Sequence, residues 1–325
     1  MICRSPPLAS RLAILVPYRD RKDYLDIFLD EVPKYLERVN GITDYAIYVA
    51  EQQSQDRFNL ALSRNVAARA ALDDGGFGYF VFHDVDVIPV CHIDYGPRSF
   101  NVAWFLSAGS CKITTTDFVR ANGYNPDFVG WGDEDVEFYH RLSHLGSDLR
   151  EWHRIPESRQ AVAINLEWPQ LSEDEALAWS RRYFGHATSG PRFVSYRRTA
   201  GDRKLRRYDK SSDFWGLGQQ ERNHALWHRM RALSPEDKTS YIARNGLNRV
   251  RVDGTVRLAR GRIRWIKYRT RDVLDAADVA GHWPQADFIA PSEVQGGRSR
   301  AAHSGASIPP STETNRAPII KMTKE

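Results

Sequence analysis

The chain has 325 residues, of which 42% are hydrophobic and 11% aromatic, enough to build a packed core and too much for a disordered or fibrous protein. Its net charge of +5 comes largely from the C-terminal third. A solvated basic surface is the plain reading there, and an anionic membrane surface or polyanion is the alternative. Nucleic acid is not an expected partner, because the basic stretch has no interleaved aromatics. Cys3, Cys91 and Cys111 form an odd set without metal-ligand spacing, which argues against a disulfide framework and for a reducing compartment. No apolar run approaches the about 18 residues that cross a bilayer, and Met1 to Ser10 lacks a signal-peptide core. A cytoplasmic protein with no integral membrane segment, at most peripheral to a membrane, is therefore expected.

In chain order, Leu12 to Val16 predicts a strand stopped by Pro17, followed by the charged loop Tyr18-Arg19-Asp20-Arg21. Tyr24, Leu25, Phe28, Leu29, Val32 and Leu36 recur at helical spacing. Tyr45 to Ala50 predicts a second strand after the turn at Gly41. A helix from Asn59 to Leu72 follows, ended by Asp73-Asp74-Gly75-Gly76. Gly78 to Phe82 is a third, buried strand leading into His83-Asp84-Val85-Asp86-Val87-Ile88-Pro89. Strands alternating with helices predict an α/β fold with a mainly parallel central sheet and a ligand crevice at its carboxyl edge.

Asp84 and Asp86 flank one small apolar residue at the end of a strand, where a pair of carboxylates can hold a divalent cation between protein and phosphate. Alone, such a triplet is more often a solvated turn, or an Asp84 cap on a short helix. The loop after the first strand should face the same crevice, placing Arg19 and Arg21 where guanidinium groups clamp a diphosphate. A salt-bridge cluster at a helix entry is the competing account.

After Pro89 the pattern is irregular up to a short strand at Val102 to Leu106. The small residues Ser107-Ala108-Gly109-Ser110 then permit a close backbone approach. Thr116 to Arg120 begins a short helix ending at Asn122-Gly123. In Gly130-Trp131-Gly132-Asp133-Glu134-Asp135, Gly132-Asp133 supplies a loop and N-cap. Glu134 and Asp135 fall in the first turn of a helix that buries Phe138, Leu142 and Leu145. An indole beside carboxylates suits a sugar ring.

These blocks resemble the β-1,4-galactosyltransferase family, glycosyltransferase family 7, whose members are inverting GT-A-fold enzymes using UDP-sugars and Mn2+. Val16-Pro17-Tyr18-Arg19-Asp20-Arg21 is similar to P-F-R-N-R, and Ile47-Tyr48-Val49 is followed by Gln52. Phe58-Asn59-Leu60-Ala61, with Asn65-Val66 after it, is similar to F-N-R-A. Phe82 to Pro89 is similar to F-x-D-V-D-L-I-P, Trp131 to Asp135 to W-G-G-E-D, and Asn245-Gly246-Leu247-Asn248 to D-G-L-N.

The resemblance implies a GT-A-like fold and a substrate-binding set of Pro17, Arg19, Arg21, Phe58, Asp84, Val85, Gly109 and Trp131. It implies Asp86 as Mn2+ ligand, Asp135 as general base, and Glu134 beside it on the acceptor sugar. The expected partners are a UDP-sugar donor and a glycan or glycoconjugate acceptor. Leu60 in place of the family's arginine, and Leu106 where animal enzymes often carry tyrosine, leave galactose and N-acetylgalactosamine both open as donor sugar. The family's histidine ligand has no clear counterpart, with Asp209 or His186 as candidates. Two alternatives stand beside this reading: a chondroitin-polymerase-type hexosaminyltransferase, and a carbohydrate- or nucleotide-sugar-binding protein that has lost catalysis. The expected organisation is a catalytic domain over residues 1–289, with a possible insertion at 153–212, and a disordered tail at 290–325. Glu221 to Met230 predicts a helix, and Asn245 to Ile266 a hairpin-bearing end to the domain.

Overall fold

The computed structural model describes residues 11–54, 56–89, 95–97, 110–130, 132–147, 163–166, 193–195 and 219–274. The strand expected at 102–106, the Ser107 to Gly109 turn, Trp131, His186, Asp209 and the tail lie outside the described residues.

The apolar runs form β1 (Leu12–Tyr18), β2 (Tyr45–Gln52) and β3 (Tyr79–His83), separated by α1 (Lys22–Arg38) and α2 (Leu60–Asp74). Both β2 and β3 pair parallel to β1, on its two sides. The chain therefore steps outward from β1 to β2 and then back past β1 to β3. In such a sheet the crevice opens at the carboxyl ends of the two strands where the winding reverses, here β1 and β3.

Side chains alternate along a strand, and β1 shows where they go. Leu12, Ile14 and Val16 join the α1 residues Tyr24, Leu25, Phe28, Val32 and Leu36 in one apolar cluster. Ala13 and Leu15 join Leu62, Val66 and Ala70 of α2 in another. With both faces covered, every residue of β1 is buried, as the continuous apolar run requires.

The strand runs through Pro17 to Tyr18 instead of stopping at the proline. Pro17 lies beyond the last β1–β3 pair, Leu15 with Phe82, and pairs only with Ala50 of β2, so its missing amide costs little there. Three further elements extend the sheet. β5 (Ser110–Thr114) pairs antiparallel with β3, so Ser110 opens a strand and does not close a turn. β8 (Val256–Arg260) and β9 (Ile263–Tyr268) form the expected hairpin, and β9 inserts parallel beside β2. The six-stranded order is β5-β3-β1-β2-β9-β8.

A second, three-stranded sheet was not foreseen. β4 (Val87–Pro89), immediately after the acidic turn, pairs with β6 (Ala163–Asn165), and β6 pairs with β7 (Phe193–Ser195). Parts of the 153–212 stretch are thus built onto the strand that leaves Asp86, and the Leu166 amide donates to the Asp86 carbonyl at 2.7 Å.

The remaining helices cover the α2 side. They are α3 (Thr115–Arg120), α4 (Glu134–His144), α5 (Gln220–Ala232), α6 (Pro235–Arg244), a 3₁₀ turn at Leu247–Arg249, and α7 (Thr270–Val273). The Asn245-Gly246-Leu247-Asn248 block docks on the Asn122-Gly123 turn. The Asn122 side chain donates to the Ile242 carbonyl at 2.8 Å and accepts from the Asn248 amide at 2.9 Å. A Cβ on Gly246 would lie 1.8 Å from the Asn122 carbonyl oxygen, a backbone atom that cannot swing aside. Gly246→Ala is expected to cost about 1–3 kcal/mol or more through overpacking, read as a lower urea midpoint with an unchanged m-value.

Candidate active site

The loops leaving β1, β2 and β3 and the start of α4 carry the polar residues singled out above. Arg19 and Arg21 follow β1 and are both buried. Arg21 Nη1 meets Asp86 Oδ2 at 3.2 Å, with both side chains about nine-tenths buried. The two loops expected to share a crevice therefore touch across the β1–β3 switch point. Arg19 donates to the Asp56 carbonyl in the loop after β2, so the guanidinium groups are spread between the β2 and β3 loops.

His83 holds the acidic turn from beneath. Its Nε2 lies 2.7 Å from the Tyr95 hydroxyl and its Nδ1 lies 3.0 Å from the Asp84 carbonyl. Burial lowers its pKa to about 4, so it serves as a neutral anchor. Val85 is packed in the α1-side core, which leaves any role at the crevice to its main chain. Asp84 is more open, with its side chain 34% exposed.

The second acidic stretch is brought in by amide side chains of α2. Asn59 caps that helix by accepting from the Leu62 amide at 2.8 Å, and its Nδ2 donates to the Pro126 carbonyl at 2.7 Å. Asn65, almost two turns on, exchanges hydrogen bonds with the main chain of Tyr124 at 2.7 and 3.0 Å. The Gly130 amide donates to the Phe58 carbonyl at 2.9 Å. Buried Phe58, a predicted ligand contact, thereby holds through its backbone the loop that leads to position 131. Gln52 fixes the other end of the same loop system by accepting from the Asn59 amide at 2.9 Å.

Glu134 and Asp135 fall in the first turn of α4, as the sequence predicts. Asp133 departs from expectation. It stands at the N-cap position with φ +64° and its side chain makes no capping bond; the carboxylate instead faces His224 of α5 at 3.3 Å. Asparagine and aspartate tolerate this left-handed conformation better than other side chains. One turn further on, Glu137 and Arg141 form a fully buried pair at 2.6 Å, and Phe138 and Leu142 enter the core.

Sequence reasoning missed Arg64. It lies one helical turn after Leu60 on α2, is 8% exposed, and stands between the two acidic stretches. Nη2 is 3.6 Å from Asp84 Oδ1, Nη1 is 3.5 Å from Glu134 Oε1, and the guanidinium carbon lies 4.9 Å from the Tyr124 ring centre. Burial disfavours its charge, but Tyr124, Asp84, Glu134 and Asp135 outweigh that and raise its pKa. The available signal was the asparagine cap: with Asn59 fixing the start of α2, Arg64 repeats the Leu60 face at i+4.

Glu134 is 4% exposed. Burial, Asp135 and Asp84 push its pKa well up, while Arg64 and a backbone hydrogen bond pull it down. Desolvation thus overrides the help expected from the helix N-terminus. Asp135 is half-buried, and its Oδ1 accepts from the Val136 amide at 2.8 Å.

Among the described residues no group of three or more His, Cys, Asp or Glu side chains is placed to hold a metal ion. The donors at the end of β3 are nevertheless hard oxygens. They suit a divalent cation bound through one or two carboxylates and completed by phosphate oxygens and water.

A mainly parallel α/β sheet, with arginines and carboxylates gathered at its winding switch point, defines an open α/β domain with a polar crevice at the carboxyl edge of its strands. The model of the N-terminal region of glycosyl transferase group 7 matches residues 3–95, and that of the N-terminal domain of galactosyltransferase matches residues 91–162. Bovine (Bos taurus) β-1,4-galactosyltransferase 1 is 34% identical over 164 residues, covering 46% of this chain and 40% of that protein. Human (Homo sapiens) β-1,4-galactosyltransferase 4 is 33% identical over 231 residues, covering 63% and 64%. Over residues 3–162 the chain belongs to glycosyltransferase family 7, the β-1,4-galactosyltransferase family, and its fold is α/β with a mainly parallel central sheet. It spans less than two thirds of the length of these relatives.

Among solved structures, the catalytic domain of Drosophila β-1,4-galactosyltransferase 7 with xylobiose has a TM-score of 0.48 at 18% identity, covering 79% of this chain and 93% of that one. A mutant of the Drosophila enzyme in complex with manganese, UDP-Gal and xylobiose has a TM-score of 0.47, also at 18% identity. Both likenesses are too loose to carry geometry across.

A carboxyl whose folded pKa is raised binds its proton more tightly in the native state, so its contribution to stability is lost as pH rises from the ordinary carboxylate range through the raised value. Glu134→Gln removes that loss. The variant should gain stability relative to the parent as pH rises from 5 to 9, by at most about 1.4 kcal/mol per pH unit. Urea denaturation of both proteins across that range measures it.

Proposed function

We propose that this chain is an inverting, divalent-metal-dependent glycosyltransferase. It moves galactose or N-acetylgalactosamine from a UDP-sugar to a sugar hydroxyl. The observation that carries the reading is the meeting of the two acidic stretches, one closing β3 and one opening α4, at the Arg64 guanidinium, beside the Arg21–Asp86 contact at the switch point.

In this reading Arg19 and Arg21 bind the diphosphate, since guanidinium groups match phosphate oxygens in charge and in planar hydrogen-bonding geometry. Asp86 would hold the cation, Mn2+ in keeping with the family, with Asp209 or His186 as candidate further ligands; bound there, a cation neutralises charge developing on the leaving diphosphate. Asp84 contacts the donor sugar or its ribose, and Trp131 and Glu134 hold the acceptor sugar.

Asp135 is the general base. As the acceptor oxygen bonds to the anomeric carbon and the bond from that carbon to the diphosphate breaks, the hydroxyl proton passes to the Asp135 carboxylate. UDP leaves, and the anomeric configuration inverts. The division of labour between the neighbouring acids follows from their surroundings. Burial and adjacent carboxylates raise the pKa of Glu134 and Arg64 opposes them, so Arg64 keeps the carboxylate form accessible to accept hydrogen bonds from sugar hydroxyls. Half-buried Asp135 is the more open of the two to an acceptor hydroxyl.

The test is a panel of UDP-sugars assayed with Mn2+ against monosaccharide acceptors. Asp135→Asn is expected to lower kcat by about 10²–10⁴-fold, the usual worth of a positioned base, with UDP binding retained. Asp86→Asn should weaken UDP binding in Mn2+ but leave metal-free binding nearly unchanged, as titration calorimetry would show. Undiminished transfer by Asp135→Asn would remove the assigned base. Tight UDP binding by the parent with no turnover of any donor would favour a sugar-nucleotide-binding protein.

A further inference from the structure

We propose that Arg64 is a positioning residue of the transfer reaction, setting the Asp84 carboxylate at the end of β3 against the Glu134 carboxylate at the start of α4. It thereby registers the donor side of the crevice with the acceptor side. The inference rests on the function proposed above and deepens it.

The geometry makes the case. Arg64 presents different nitrogens to the two acids, at 3.6 and 3.5 Å. The acids come from elements about fifty residues apart in the chain, and the guanidinium contacts both. Its stem is held by α2, whose start is fixed by the Asn59 cap and whose Asn65 is bonded to the Tyr124 main chain. Its guanidinium carbon lies over the Tyr124 ring, and that ring stacks on Phe138 of α4 at 4.2 Å. A displacement of α4 relative to β3 would be felt first at this side chain.

Stability alone does not account for Arg64. The two ion pairs are long for charge-assisted hydrogen bonds, and its Nε has no hydrogen-bond partner among the described residues. Replaced together with its acids by apolar groups, so loosely held a guanidinium would cost folding little, whereas its removal alone strands buried Glu134. The guanidinium does oppose the repulsion among Asp84, Glu134 and Asp135. A planar cation that reaches two carboxylates at once fixes their separation, which an ammonium group does less well.

Arg64→Met and Arg64→Lys in the full-length chain test this. UDP affinity in Mn2+, measured by calorimetry, should stay within about threefold of the parent, while kcat for transfer falls on the order of 100-fold in the methionine variant. The lysine variant should recover about tenfold of that loss, because charge returns without the two-pronged geometry. The melting temperature of Arg64→Met should fall, because buried Glu134 loses its cation, and Arg64→Met with Glu134→Gln should recover it. Should the methionine variant not fold, pairing it with Glu134→Gln removes the stranded acid, and the lysine variant still reports. Parent-like kcat in Arg64→Met overturns the proposal, and so does a loss of UDP affinity as large as the loss of rate. If the parent transfers no sugar at all, the functional reading fails by itself. Crystal structures of the parent and Arg64→Met then decide the positioning claim: it stands if Asp84 and Glu134 move apart and falls if their separation is unchanged.

Discussion

Carboxylates brought together out of water repel, and this molecule gathers Asp84, Asp86, Glu134 and Asp135 at one edge of its sheet. What permits it is a matching set of buried guanidinium groups, Arg21 against Asp86 and Arg64 between Asp84 and Glu134. Removing either partner of such a pair leaves an uncompensated charge, which costs far more than the pair contributes to folding. The edge is therefore held together by charge balance, and the rest of the fold serves to keep the members of that balance in place.

The supporting parts act through ordinary backbone chemistry. Reversal of winding between β2 and β3 puts the loops after β1 and β3 side by side, and neutral His83 pins the second of them to Tyr95. Asn59 and Asn65 extend the order of α2 into the chain from Tyr124 to Gly130, so a helix on one face of the sheet dictates where α4 begins. The late Asn245 to Asn248 block clamps the Asn122-Gly123 turn. Gly123 itself has φ +62°, and a Cβ there would lie 2.6 Å from Asn65 Oδ1, so the turn and the amide that holds the loop require each other.

Much of this was legible in the chain. Strands and helices up to β3 follow from unbroken apolar runs and helical spacing, because these elements are buried on whole faces. The position of Asp84 to Asp86 at a strand end and of Glu134 to Asp135 in a first helical turn was legible for the same reason. Less visible were features that depend on partners distant in sequence. Pro17 reads as a strand terminator until β3 is known to pair only as far as Leu15. Val87 to Pro89 is too short to signal a strand without β6. Asp133 has the chemistry of a cap, yet its left-handed backbone turns the carboxylate toward His224. Arg64 reads as one more charge on a helix, and its role appears only when Asp84 and Glu134 arrive from either side. The raised pKa of Glu134 likewise comes from depth of burial, which spacing does not encode.

The acidic turn after β3 belongs to two sheets at once. β3 feeds it from the large one, and β4 carries it directly into the small one, where the Leu166 amide grips the carbonyl of Asp86 itself. A peptide unit anchored at both ends cannot drift without bending one sheet or the other. The strands at 163–165 and 193–195 thus act on Asp86 as a brace acts on a beam, so sequence drift in that otherwise unremarkable region has a direct mechanical route to the crevice.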